Sequence, residues 1–184
     1  PVSRVVVTTD LPGAAVEVLV GAGHDVVRAD PTRPLAETVA GADALVTVLT
    51  DRVDRAVLEA GAPGLTVVAN VAAGFDNVDR RAAAELGVTV CSTPGVLEES
   101  TAELAFGLML MARRRTSDAE RTLRSGGWTG WALDGFLGHD LAGATLGIVG
   151  WGEIGRALAR RAEAFAMTVL HTSRRPTGDP GEVA

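Results

Sequence analysis

Residues 144–172 hold the pattern that most constrains how this chain folds. "ATLGIVG" is an apolar run, and Gly150, Gly152 and Gly155 follow as G-x-G-x-x-G. "EIGRALARRAEAFA" has helical composition, and "MTVLHT" is a second apolar run. A strand, a glycine turn, a helix and a second strand within about thirty residues make a βαβ unit of the dinucleotide-binding kind. The three glycines serve different ends, namely the tight turn, the approach of backbone to a pyrophosphate, and the close packing of helix on strand. The helix start adds free N–H groups and a partial positive charge. Phosphate contacts are therefore expected from Gly150, Trp151, Gly152, Glu153, Ile154 and Gly155. The competing reading is an ordinary strand–turn–helix.

The end of the second strand decides which nucleotide fits. A carboxylate normally stands about twenty residues past the glycines and accepts hydrogen bonds from the adenosine ribose. Here the residues are Thr172, Ser173, Arg174 and Arg175. Without an acid, nothing repels a 2′-phosphate, while the arginines offer planar guanidinium forks suited to its oxygens. Ser173, Arg174 and Arg175 thus predict NADP(H) in preference to NAD(H). The alternative is that both arginines are merely solvated loop residues.

Upstream, β-branched runs alternate with Ala- and Leu-rich stretches, the signature of a parallel sheet with crossover helices. "RVVVTT", "DVVRA", "ALVTVL", "LTVVAN" and "VTV" read as strands. Helices are expected from Pro12 to Gly21 or Gly23, around Leu35 to Ala40, from a cap at Thr50 or Asp51 to Gly61, and over "NVDRRAAAELG". This predicts an α/β chain, with a flavodoxin-like first domain (1–98) followed by the first half of a Rossmann doubly wound domain (99–184). Near the boundary, Pro94 and Gly95 break the chain. The apolar helix "TAELAFGLMLMARRR" that follows should be buried between layers. Helix should resume through "TSDAERTLRSG", ahead of the Gly- and Trp-rich loop "GGWTGWALDGFLGHDLAG".

Composition narrows the function classes. The net charge of −6 argues against general nucleic-acid binding. The single cysteine, Cys91, excludes an internal disulfide and a four-cysteine zinc site, and reads as a small buried residue. His24, His139 and His171 share no spacing that makes a metal site or a triad, and His139 reads as a surface residue. No apolar run is long enough to cross a membrane, and nothing resembles a signal peptide, so the expected setting is the cytoplasm.

Two long stretches carry a resemblance. "VVANVAAGFDNVDRRAAAELGVTVCSTPGVLEESTAELAFGLMLMARRR" and "LAGATLGIVGWGEIGRALARRAEAFAMTVLHTSRRP" resemble the D-isomer-specific 2-hydroxyacid dehydrogenases. Within that family the Trp-rich arm and the "SRR" turn look most like glyoxylate/hydroxypyruvate reductases. The resemblance implies NADPH-dependent reduction of a small 2-keto acid to the D-2-hydroxy acid by hydride transfer. It also implies a homodimer, with Trp128 and Trp131 of the arm at its interface, although the two rings could instead close over a cleft. Substrate carboxylate would bind the backbone of "NVAAGFDN", with Ala73 and Gly74 at the binding positions and Ala72 beside them. Small residues there leave N–H groups open as an anion nest, although a tight turn packed on the next helix is the plainer reading. Leu49 to Asp51 would line the same site. Thr101, at the start of the apolar helix, would contact cofactor, or else cap the helix.

The family's catalytic Arg, Glu and His fall beyond Ala184, so no residue here is expected to be catalytic. The first residue is Pro1 rather than Met, and the end lies in what reads as a further helix. The chain thus reads as part of a longer enzyme, inactive alone. Two other functions stay open: an NAD-dependent dehydrogenase of another 2-hydroxy acid such as 3-phosphoglycerate, and a non-catalytic, nucleotide-sensing protein like the corepressors that share the fold.

Overall fold

The computed structural model describes residues 2–11 and 13–183. Pro1, Pro12 and Ala184, where the sequence placed a non-Met start, a helix start and the chain end, lie outside the described residues. Contacts divide the chain into Pro1–Pro94 and Gly95–Ala184. The division falls at the Pro94–Gly95 turn, so the helix beginning at Glu98 lies wholly in the second unit.

The first unit runs β1 (Arg4–Val7), α1 (Ala15–Gly21), β2 (Asp25–Arg28), α2 (Leu35–Thr38), β3 (Ala44–Val48), α3 (Arg55–Gly61), β4 (Val67–Val71), α4 (Arg80–Glu85) and β5 (Thr89–Cys91). Its strands are all parallel, in the order β2-β1-β3-β4-β5, the flavodoxin-like arrangement. Val6, Leu45 and Val68 are fully buried and pack with Val57 and Leu58 of α3 and Ala82 and Ala83 of α4. Small alanines let α4 approach the sheet closely, and β-branched valines suit the pleated strands.

Both α3 and α4 are capped by aspartates. Asp54 accepts the Val57 N–H at 3.3 Å, and Asp79 accepts the Ala82 N–H at 2.9 Å. This corrects the expected cap at Thr50 or Asp51. Val53 first bridges to Val78, which delays the helix to Arg55. Asp51 instead accepts the Val48 N–H at 2.8 Å and the Thr8 hydroxyl, bracing the turn after β3. Cys91 is exposed, not buried as expected, because it ends the short edge strand β5, where burial falls away.

The second unit contains α5 (Glu98–Arg113), α6 (Thr116–Arg124), β6 (Thr145–Val149), α7 (Glu153–Ala164) and β7 (Thr168–Thr172), with β6 and β7 parallel. Arg115, at a left-handed φ of 53°, separates α5 from α6. Phe106, Met109 and Leu110 of α5 pack against Leu141, Ala162 and Met167, and Phe106 meets Phe165 edge-on at 4.8 Å.

The expectation that α5 is buried between layers does not hold in this chain. Only Ala102 is fully buried, while Leu104 is 66% and Leu108 56% exposed. One helical face meets α7, and among the described residues no element of this unit covers the other. The expected helix at the chain end is also absent from the described residues. Pro180 and Gly181 interrupt any helical run, and residues 176–183 instead fold back so that Glu182 bridges to His171. Among the described residues, no helix is long and apolar enough to cross a membrane.

Candidate functional site

A cleft of about 870 Å³ opens at the carboxyl ends of β6 and β7. Residues 149–152 line one side and residues 172–175 the other, so two stretches far apart in sequence face each other. The Gly150 N–H donates to Thr172 O at 2.9 Å and ties the two sides together.

Each glycine has a distinct structural reason. Gly150 has a φ of +105°, which side-chain-bearing residues rarely adopt. Gly155 is buried, and a Cβ there would stand 2.4 Å from Gly150 O, so only glycine lets α7 start this close to β6. Gly152 differs from both. Its φ is −89° and a Cβ would meet nothing within 4 Å, so its bare backbone leaves open space rather than avoiding a protein clash.

Gly152 is the N-cap of α7, and the first intrahelical bond runs from Arg156 N to Gly152 O. The N–H groups of Glu153, Ile154 and Gly155 therefore have no acceptor within the helix, and the helix dipole is positive at this end. These three residues follow the cleft rather than line it. The Glu153 side chain is an acid at the helix start, so only its N–H favours an anion.

On the opposite side, Arg174 and Arg175 are exposed. Among the described residues, neither guanidinium pairs with a carboxylate, whereas Arg156, Arg160 and Arg161 are all paired. Two unpaired cations beside a helix N-terminus and open glycine backbone are suited to a ligand carrying phosphates at two places. Ser173 is less free than its neighbours, because its hydroxyl donates to Arg175 O and shapes the turn.

Trp151 gains supports that the sequence did not reveal. Its ring stacks on His171 with centroids 3.7 Å apart and planes 15° from parallel. Its indole N–H donates to Asp179, which also pairs with Arg156. These bonds, the indole's first, hold the Asp179 carboxyl below its usual range. His171 is buried, with Nε2 3.2 Å from Thr177 Oγ1. Glu182 accepts the N–H groups of Thr177 and Gly178, which lower its pKa as well. Asp179 thereby ties the tail to Trp151 and α7, while Glu182 closes the tail's own turn on Thr177 and Gly178. Only the apolar context of His171 within "TVLHT" hinted at this arrangement.

Thr101 is exposed in the first turns of α5, its N–H bonded to Leu97 O, and it does not line the cleft. The N-cap of α5 is Leu97 rather than Thr101. His139 is exposed, and its N–H donates to Arg113 O. Trp128 and Trp131 are exposed along the arm. No group of His, Cys, Asp or Glu among the described residues is arranged to hold a metal.

In the first unit, Ala73 and Gly74 follow β4 and are exposed, while Ala72 beside them is buried. Ala72 O accepts the Thr93 N–H at 2.8 Å, and Gly74 O accepts the Asn70 side-chain amide at 2.9 Å. Among the described residues, the N–H groups of Ala73 and Gly74 donate to no protein acceptor. They lie past the carboxyl end of a parallel strand, where ligands of such sheets bind.

The family model for the D-isomer specific 2-hydroxyacid dehydrogenase catalytic domain matches residues 5–174. The chain belongs to this family. As a D-isomer-specific 2-hydroxyacid dehydrogenase chain, it stands in a family of NAD(P)-dependent enzymes. It is 48% identical over 151 residues to a glyoxylate reductase of Thermococcus litoralis, covering 80% of this chain and 45% of that protein. A glyoxylate reductase of Pyrococcus horikoshii is 40% identical over 179 residues, covering 93% and 53%. The crystal structure of a protein from Thermus thermophilus superposes with a TM-score of 0.91 at 41% identity, covering 98% of this chain and 60% of that one. The chain thus spans about half the length of the curated relatives it matches.

Proposed function

We propose that this chain supplies the cofactor and substrate sites of an NADPH-dependent reductase acting on glyoxylate, hydroxypyruvate or a similar small 2-keto acid. The observation that carries this reading is the pairing of the Gly150–Gly152 turn with two arginines, unpaired among the described residues, across one cleft. Gly150–Gly152 and the free N–H groups of α7 would hold the pyrophosphate. Arg174 and Arg175 would hold the 2′-phosphate, with the Ser173 hydroxyl joining them on leaving Arg175 O. Glu153 and Ile154 would contribute N–H groups, Gly155 permits the close packing, and Thr101, outside the cleft, would contact the cofactor only at its nicotinamide end. When bound, the cofactor supplies the hydride that reduces the keto carbon, and a proton completes the D-2-hydroxy acid. Ala73 and Gly74 hold the substrate carboxylate through backbone N–H groups.

The resemblances to glyoxylate reductases support the choice of acid. This reading needs the family's Arg, Glu and His for proton transfer, which the resemblance sets beyond Ala184. We further propose a homodimer formed through the bare face of α5 and the arm around Trp128 and Trp131, acting on small molecules in the cytoplasm without nucleic acid or membrane.

The test follows NADPH and NADH oxidation at saturating glyoxylate and hydroxypyruvate, using the natural polypeptide that contains this chain. The parent should prefer NADPH. Arg174→Asp should raise the KM for NADPH about tenfold to a hundredfold, the worth of a charge-assisted hydrogen bond or two, and leave NADH unchanged or improved. Equal loss for both cofactors would overturn the assignment of the "SRR" turn. Turnover with NADH and 3-phosphoglycerate in place of these pairs would favour the alternative dehydrogenase. NADPH binding without turnover of any keto acid would favour a nucleotide sensor.

A further inference from the structure

The inner face of the first sheet changes chemistry toward its carboxyl end. Leu45 of β3 is in register with Val68 of β4, and both are fully buried. Two residues further on, Thr47 is in register with Asn70, and these are 0% and 2% exposed. A buried carboxamide is costly unless its hydrogen bonds are met, so its partners show what holds it there.

Every polar group of Asn70 is engaged. Its amide nitrogen donates to Gly74 O at 2.9 Å and to Asn77 Oδ1 at 3.0 Å, and its Oδ1 accepts the Thr47 hydroxyl at 3.0 Å. Asn77 extends the network, its amide donating to Val48 O at 3.1 Å and to Asp51 O at 2.9 Å. Two asparagines therefore link the turn after β3 to the loop after β4.

The bond to Gly74 O fixes a direction as well as a position. In a trans peptide the carbonyl and the following N–H point opposite ways. Holding Gly74 O inward on Asn70 turns the Phe75 N–H away from the buried side. The bond from Thr93 N to Ala72 O sets the Ala73 N–H in the same manner. The loop thus presents N–H groups because its carbonyls are tethered behind it.

We propose that Asn70, supported by Thr47 and Asn77, is a positioning residue for substrate carboxylate binding, and that Phe75 N–H joins Ala73 and Gly74 in receiving the carboxylate. This rests on the reading of the Ala73–Gly74 loop as the substrate site. None of the three side chains touches substrate; they act through the loop backbone.

The experiment uses the natural full-length polypeptide and three variants. Asn70→Leu removes the tether at similar volume. Thr47→Val removes only the hydroxyl behind Asn70 and leaves both loop bonds. Gly74→Val tests the underlying reading, since a Cβ at Gly74 meets nothing within 4 Å and bulk there obstructs ligand rather than protein. The readouts are KM and kcat for glyoxylate, NADPH affinity by fluorescence, and Tm.

Asn70→Leu should raise the glyoxylate KM about tenfold or more, equivalent to about 1.4 kcal/mol, and Thr47→Val should raise it by a smaller factor. NADPH affinity should stay within about twofold in both, a separation that general loss of structure would not produce. A folded Asn70→Leu with unchanged glyoxylate KM overturns the proposal. If Asn70→Leu does not fold, Thr47→Val decides, and an unchanged KM there overturns it. An unchanged KM in Gly74→Val removes the loop from the substrate site and the proposal with it. A raised KM in Gly74→Val with none in a folded Asn70→Leu overturns the positioning role alone.

Discussion

Gly152 and Gly155 stand three residues apart in one motif, yet the surroundings give them opposite vulnerabilities. At Gly155 an added methyl group runs into Gly150 O at 2.4 Å, so the helix start must shift. Gly155→Ala should therefore lower Tm, at an overpacking cost of about 1–3 kcal/mol, as well as weaken nucleotide binding. At Gly152 the same methyl enters open space at an ordinary φ. Gly152→Ala should lower Tm only by the modest cost of a poorer N-cap, well short of Gly155→Ala, while NADPH binding falls about tenfold or more. Thermal melts with and without NADPH read both effects. A fall in Tm for Gly152→Ala equal to that for Gly155→Ala would show that the two glycines share a structural role. The motif spelled out three roles, but only the distance to Gly150 O and the space at Gly152 show which of the two glycines the packing itself demands.

Among the elements, the tail from Thr177 to Val183 joins β7 through backbone bonds at His171, and Asp179 ties it to Trp151 and Arg156 through a carboxylate whose strength depends on pH. The Trp151 indole and Arg156 lower the pKa of Asp179, and the Thr177 and Gly178 N–H groups lower that of Glu182. Carboxylates lowered in the folded state stabilise it fully above their unfolded values, about 3.8 and 4.5 here, and lose that stabilisation as pH falls through the lowered folded values. With Trp128 and Trp131 replaced by Phe, Trp151 becomes the reporter, since the chain has three tryptophans. Its emission should hold steady from pH 7 to 5 and change only in acid below the ordinary carboxylate range. A transition centred near neutrality would assign control of the stack to another group. Helix and strand positions in this region followed from periodicity. The tail did not, because a bridge from Glu182 to His171 depends on pairing between separate segments.

For the molecule as a whole, the unusual feature is apolar surface left bare in the second unit. Leu104, Leu108, Trp131 and Leu137 are all more than half exposed. Bare apolar area of this kind marks a surface that another protein surface covers. Under the homodimer reading, Leu104→Glu with Leu108→Glu should convert a dimer of the natural polypeptide to monomer by light scattering, with the Tm transition still cooperative. A parent that is already monomeric would mean that further chain of the same polypeptide covers this face. The sequence recorded the apolar residues of α5 faithfully but not how many sides of the helix are covered. An apolar stripe looks the same whether its partner is a neighbouring helix, another chain or nothing within reach.

By itself the sequence carried the alternation of strands and helices, the glycine pattern at Gly150–Gly155, the family, and the absence of an acid at the end of β7. Those features are local, set by residue period, by glycine's freedom at φ of +105° and by residue order. Tertiary structure alone decided that Thr47, Asn70 and Asn77 meet beneath the Ala73–Gly74 loop, that Asp179 returns to Trp151, and that Arg174 and Arg175 stay unpaired among the described residues. Each of these depends on which side chains from distant segments arrive within hydrogen-bonding distance once the sheets have formed, and burial then gives those contacts their energetic weight.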